Sequence, residues 1–218
     1  MRTITVIIGI VIVLVMTGIC LSQEGEERVT SLFVLRNDWV SPKEGKSSVT
    51  QLNSGYWHFK SFGGGIDVKS NLQANFLEAQ PYLTINSGPW YLLGGFSTNS
   101  AGADYIQTGL WYIKSFSKLT VIADLRNYWA VSEKANGYTD NLLEVTYPLT
   151  EKFFTGFDFR FDHWWKGKSH DWYLAGPLIG YNLTKSTSIF LRVSREWDVL
   201  DSRTSRADRI RIGLKLCF

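Results

Sequence analysis

Arg209–Phe218, RIRIGLKLCF, keeps a strict two-residue alternation up to its final residue. Ile210, Ile212, Leu214, Leu216 and Phe218 fall on one parity; Arg209, Arg211, Gly213, Lys215 and Cys217 fall on the other. Residues i and i+2 of a β-strand point to the same face, so the segment has one apolar face and one basic face. Chain termini usually fray into polar residues unless they are tied down. A pattern held this far predicts a strand with a neighbour on each side, one of them at the opposite end of the chain.

The same alternation recurs upstream. In Phe153–Trp165, Phe153, Thr155, Phe157, Phe159 and Phe161 oppose Gly156, Asp158, Arg160 and Asp162. In Lys118–Val131, Leu119, Val121, Ala123 and Leu125 oppose Thr120, Asp124 and Arg126. Twelve such runs are read between Val29–Val40 and Ala207–Phe218, the second, third and fourth being Ser47–Leu52, Tyr56–Gly65 and Ala74–Ile85. Two kinds of connection alternate between them. One is compact, as in Asn53-Ser54-Gly55, Asn86-Ser87-Gly88, Ser115-Phe116-Ser117, 149–152 and 183–186. The other is longer and polar, as in SPKEGK, DVKSN, TNSAG, SEKANGY, KGKSHD and LDSRTSR. This is the grammar of successive hairpins in an up-and-down meander.

Composition places the meander in lipid. The 218 residues include 9 Trp, 10 Tyr and 13 Phe, an aromatic share of 15%. Trp129, Trp164, Trp165, Trp172 and Trp197 fall beside the longer connections, whereas Trp57, Trp90, Tyr147, Phe153, Tyr181 and Phe218 fall beside the compact ones. Two aromatic girdles around an apolar band are what the two interfaces of a bilayer select. A closed barrel also pairs every backbone group in hydrocarbon. The expected fold is therefore all-β: a transmembrane up-and-down antiparallel barrel of 12 strands, with 10 as the alternative if Val29–Leu52 is a loose segment. Residues 1–22 read as a signal peptide, a short basic start followed by the apolar run Ile4–Met16, and 23–218 as the barrel. With Cys20 in the leader, Cys217 is left without a partner, so neither a disulfide framework nor a cysteine metal site is expected. A net charge of +3 without a basic block gives no case for nucleic acid.

The signal peptide, the even count of alternating strands and a last strand ending in Phe218 resemble Gram-negative outer-membrane β-barrel proteins. In size and strand number the chain is most similar to small monomeric twelve-stranded porins, the oligogalacturonate-type channels, whose ends DSRTSRADRIRIGLKLCF resembles. The resemblance implies an outer-membrane location, contact with outer-membrane lipid, and recognition of the terminal strand by the barrel-assembly machinery. It also implies a channel for small hydrophilic, charged solutes, with no cofactor. Those channels have strongly basic pores, and this chain is more balanced.

Taken literally, the alternation points Arg36, Lys60, Arg126, Arg160, Arg192, Arg209, Arg211 and Lys215 inward, with Asp38, Glu78, Asp124, Asp140, Glu144, Asp158, Asp162, Glu196 and Asp198. Closure would gather Arg36, Arg192, Arg209, Arg211 and Lys215 on adjacent staves, facing acids concentrated on the seventh to ninth. Such separated walls would set a transverse field across the lumen. The alternatives are a barrel filled by salt bridges that docks an unidentified protein partner, and a lipid-modifying enzyme. For the enzyme, His58 and Ser61 are expected on opposite faces, Asp162 and His163 likewise, and Ser169-His170-Asp171 in a loop. The glycines at 63–65 and 94–95 are expected to make room for large aromatics such as Phe62 or Trp111.

Overall fold

Each alternating run becomes a strand in the computed structural model of the chain, which describes residues 30–133, 135–165, 171–199 and 205–218. The strands are β1 (Thr30–Pro42), β2 (Ser48–Phe59), β3 (Phe62–Asn71), β4 (Phe76–Ser87), β5 (Trp90–Asn99), β6 (Asp104–Phe116), β7 (Leu119–Ala130), β8 (Tyr138–Pro148), β9 (Phe153–Trp164), β10 (Trp172–Asn182), β11 (Thr187–Asp198) and β12 (Ser205–Cys217). Every strand pairs antiparallel with its chain neighbours, and β1 pairs with β12, so the sheet closes with 12 staves. The ten-stranded alternative is thereby excluded. The expected leader 1–22, with Cys20, lies outside the described residues, as do Ser169 and His170.

The terminal segment closes the ring. Arg211 stands opposite Asp38 on β1 and opposite Arg192 on β11. Phe218 N donates to Ser31 O at 2.8 Å and Ser31 N donates to Phe218 O at 3.0 Å, so the last residue is stitched to the first stave. Cys217 N donates to Ser186 O on its other side. The alternation persists to the end because the backbone there is paired on both sides.

Turns at one end are short. Lys60, Gly88 and Ser117 each occupy the first loop position of a tight hairpin with φ of 53°, 57° and 56°. Positive φ at that first loop residue suits the right-handed twist of the flanking strands. Two of the three are not glycine, which is why composition alone misplaces one of them. Asn53-Ser54-Gly55 has the look of a turn, yet β2 runs straight through it, pairing Leu35 with Asn53 and Phe33 with Gly55. The chain reverses at Lys60-Ser61 instead. Asp67–Asn71, read as a loop, is the end of β3. The number of strands is as expected; the positions of the second and third are corrected.

The apolar parity faces outward. Leu83, Ile85, Leu92, Ile106, Leu125, Phe157, Ile179, Leu191, Val193, Ile210 and Ile212 are all exposed. The buried set instead includes Asp38, Asp67, Glu78, Asp158, Arg192, Glu196 and Arg211. A water-soluble barrel buries the opposite faces; this inversion is that of a membrane-spanning barrel. Girdle pairs bound the apolar band. Trp129–Trp165 (4.5 Å between ring centroids) and Tyr173–Trp197 (5.2 Å) lie at the loop end, with Trp90–Tyr112 (4.6 Å) and Phe153–Tyr181 (4.8 Å) at the turn end. Trp164 and Trp172 depart from the expected girdle. Both line the interior cavity, because β9 and β10 put their even residues inside.

Candidate functional site: a charged vestibule and its floor

At the loop end the lumen opens into a cavity of about 510 Å³. Of the charged residues singled out from the sequence, Arg36, Arg126, Arg160, Arg209, Arg211, Asp38, Glu78, Asp124, Asp140 and Asp162 line it. Arg192, Glu144 and Asp158 lie on the same inward parity but outside its lining. Lys215 is exposed at the turn end, on the inward parity of β12. Lys60 is not a lumen residue; it sits in the β2–β3 turn.

The geometry pairs these charges one against another. Arg211 donates from Nε and Nη2 to both oxygens of Asp38, the residue opposite it in register. Arg126 donates from Nε to both oxygens of Asp124 at 2.9 and 3.0 Å, and from Nη1 to Asp67 Oδ2 at 2.8 Å. Arg192 pairs with Glu144 on β8, and with Asp158 on β9 at 3.0 Å. Arg209 pairs with Glu196. Arg160 approaches Asp140 at 3.5 Å, and Lys69 approaches Glu78 at 3.9 Å. Arg36 is the exception: its Nη2 donates to Ser54 Oγ at 2.7 Å, and no carboxylate of the described residues is within ion-pair distance.

The expected separation into a basic and an acidic wall therefore does not persist as an open field. Arg192 reaches from β11 to the acids of β8 and β9, and Arg211 finds Asp38 on the next stave. A desolvated guanidinium is stabilised only by well-aligned carboxylates, and an unmatched wall of buried arginines would be costly. Asp67 and Lys69 belong to the lumen set but were hidden by the misplaced turn. Correct phasing of β3 from the Gly63–Gly65 run would have revealed them.

Arg126 also marks where the lumen changes character. Its Cζ lies 5.4 Å from the Tyr82 ring centroid and 5.1 Å from that of Trp111, within cation–π range. Beyond it, towards the turn end, Tyr82, Leu93 and Trp111 form a buried cluster with Tyr56 and Tyr91 packed against it. Phe154 lies over Gly180 and Phe190 over Gly213, each so close that a Cβ on the glycine would collide with the ring. Tyr56 and Tyr82 occupy the room left by Gly63 and Gly65. Gly63, Gly64, Gly65 and Gly95 thus make room for aromatics, the rings being Tyr56, Trp57 and Tyr82 instead of Phe62, which faces outward, or Trp111, while Gly94 meets open space.

A second aromatic set lines one side of the vestibule. Tyr128 stacks on Tyr138 at 4.3 Å, and Tyr138 on Trp164 at 4.7 Å. Gln107 Nε2 donates to the Tyr128 hydroxyl, which donates to Gln80 Oε1, both at 3.2 Å. This aromatic wall was not anticipated; the inward parity of Tyr128, Tyr138 and Trp164 was its only signal.

The two described histidines, His58 and His163, are engaged elsewhere. The His58 ring contacts the Asn86 amide at 3.0 Å, and the turn at Lys60-Ser61 follows it. His163 Nδ1 is 2.7 Å from Asp171 Oδ2, with Asp162 on the opposite face of β9. No group of three or more metal-ligating side chains occurs among the described residues.

No family model and no curated protein matches the chain. Solved structures do. The fold is similar to that of the KdgM porin in complex with disordered oligogalacturonate, with a TM-score of 0.61 and 15% identity over 86% of this chain and 99% of that one. The NanC porin gives a TM-score of 0.60 and 11% identity over 84% of this chain and 98% of that one. An outer membrane channel from Pseudomonas putida F1 gives 0.54 and 8%, over 91% and 100%. At these identities the likeness is one of fold, that of outer-membrane channel barrels, and it agrees with the apolar exterior and polar interior.

Proposed function

We propose that the chain is an outer-membrane barrel through which small hydrophilic solutes diffuse, with no catalytic chemistry of its own. The observation that carries this reading is the charged cavity at the loop end of a closed barrel whose outside is apolar. Twelve staves enclose more interior than side chains alone readily fill. Arg36, Arg160, Arg209 and Arg211, with Glu78, Asp124 and Asp162, are the groups that solutes would meet first. Arg126, Arg192, Glu144 and Asp158 are the ion-paired groups that solutes would meet next, and Lys215 meets solutes at the turn end.

The mutual pairing of charges bears on selectivity. A lumen whose arginines are largely matched to carboxylates presents little net field, so it favours small solutes of either sign over polyanions. The KdgM porin was solved with oligogalacturonate; the charge balance here argues against carrying that ligand over. Assembly is proposed to use the terminal strand, with Phe218 as the residue read by the barrel-assembly machinery.

The test is swelling of liposomes containing the purified protein in isotonic solutions of neutral, anionic and cationic solutes of sugar size. Swelling in all three supports the reading. Vesicles that remain as tight as protein-free ones would contradict it and favour a non-conducting barrel, in which the Arg126 and Arg192 ion pairs together with the Trp111 cluster close the lumen.

A further inference from the structure

Most ion pairs of the described residues line the lumen, but one group of charges lies on the outer wall. Arg195 falls on the outward parity of β11, after Ile189, Leu191 and Val193, all exposed, and one step before Trp197. Asp208 stands opposite it on β12, and Ser41 of β1 stands opposite Asp208. Arg195 Nε donates to Asp208 Oδ1 at 2.7 Å, and Lys43 Nζ approaches Asp208 Oδ2 at 3.7 Å. Lys43 is held at this edge by its own N, which donates to Arg206 O at 2.8 Å. All three charged side chains are about half exposed.

The group carries an excess of positive charge, because two cations share one carboxylate. Its neighbours do not cancel that excess. Lys46 and Glu44 of the adjoining loop offset each other in formal charge. Arg206, the extra residue of the bulge at Glu196/Trp197, has its Nε 3.7 Å from Glu196 Oε1, on the lumen side. An exposed ion trio adds little to the stability of the barrel, and its surplus cation needs an anion. Beside it lies a groove of about 290 Å³, which starts at Asp208 and is walled one step deeper by Trp39, Val49 and Ile210. Trp39 stands opposite Ile210 on one side and Val49 on the other, so the groove crosses β12, β1 and β2.

We propose that this is a binding site for a phosphorylated lipid of the outer leaflet, with its phosphate between Lys43 and Arg195 and an acyl chain in the groove along Trp39 and Ile210. Depth selects a lipid. The longer loops of such barrels face the outside, and the charges stand beside the Trp197 and Trp39 rings, at the level where headgroups lie. Charge selects a phosphate. Arg195 spends only Nε on Asp208, and among the described residues nothing accepts from its Nη1 and Nη2, which match the paired oxygens of a phosphate. Lys43 adds a point charge from the other side of Asp208. The carboxylate fixes both cations in place and cancels one of them, so an anionic headgroup gains more than a zwitterionic one. A basic pair continuous with an apolar groove is complementary to the two parts of one amphiphile. The site needs the barrel to lie in the outer membrane and is independent of conduction.

Native mass spectrometry of the full chain, released from detergent micelles supplied with lipid A, tests it. The wild type is expected to retain one lipid A, and to retain the dephosphorylated form or phosphatidylcholine at least tenfold less well. The K43A/R195A variant, checked as a folded barrel by its heat-dependent gel shift, is expected to lose that preference. Val49→Trp, which fills the groove and leaves both cations in place, is expected to weaken retention of lipid A. Equal retention of the phosphorylated and dephosphorylated lipids by the wild type overturns the proposal without recourse to any variant. Unchanged retention in either folded variant overturns it as well. So does displacement of lipid A by an equimolar amount of inorganic phosphate, or a stoichiometric foreign protein on the wild type in place of lipid.

Discussion

The two halves of the lumen solve the same geometric problem with different chemistry. The loop-end half is lined by paired charges and stacked rings around an open cavity. The turn-end half is lined by Tyr56, Tyr82, Leu93, Trp111, Phe154 and Phe190, several of them pressed onto glycines of the neighbouring stave. In the first half, ion pairs reach between distant staves, Arg126 of β7 to Asp67 of β3 and Arg192 of β11 to Glu144 of β8, whereas in the second aromatic rings without strong polar partners pack against each other. The boundary is Arg126, which belongs to both halves through its carboxylate partners and its ring contacts.

Breaking that boundary should have the largest effect. Arg126→Ala leaves Asp67 and Asp124 buried without their cation, and removing one member of a buried ion pair costs about 3–5 kcal/mol. The expected outcome is a lower urea midpoint for unfolding in lipid vesicles. If the midpoint is unchanged, Arg126 is not the joint between the halves. Gly213→Val tests the aromatic half alone: overpacking against Phe190 should cost about 1–3 kcal/mol. A second change, Phe190→Ala, should recover most of that loss, because the ring is what the new methyl groups meet. Failure to recover would place the strain in the backbone instead.

A further probe of the same contrast reads conduction instead of stability. Trp111→Ala trims the aromatic half without removing a charge, although its ring lies over Arg126, and should raise single-channel conductance while ion selectivity stays as it was. Arg36→Gln removes a guanidinium that has no carboxylate partner among the described residues, and should shift selectivity towards cations with little change in conductance. The smallest effect is expected from Lys215→Ala, an exposed change worth no more than about 0.5 kcal/mol in stability, with a slight loss of anion preference read from the reversal potential.

Much of this architecture was legible in the sequence because a barrel wall is a local code. RIRIGLKLCF announces both faces of β12, and Phe157 against Asp158 does so for β9. Closure and parity then follow from neighbouring strands alone. The errors arose where local signals conflict. Asn53-Ser54-Gly55 has turn composition inside a strand, while the true reversal uses Lys60 at positive φ. That single misplacement concealed Asp67 and Lys69. The pairing of charges was not legible, since Arg126 meeting Asp67, or Arg192 meeting Glu144, depends on stagger and on distances across the lumen. Trp164 and Trp172 show a related limit. Both have the composition of a lipid interface, and only parity reveals that they face the lumen.

The central claim is that paired lumen charges leave a conducting path of low selectivity. Single-channel recording of the purified protein in planar bilayers under a tenfold salt gradient tests it most directly. The account predicts discrete conductance steps with a reversal potential close to zero. A bilayer with no steps above its bare conductance, although folded barrel is inserted, would contradict it.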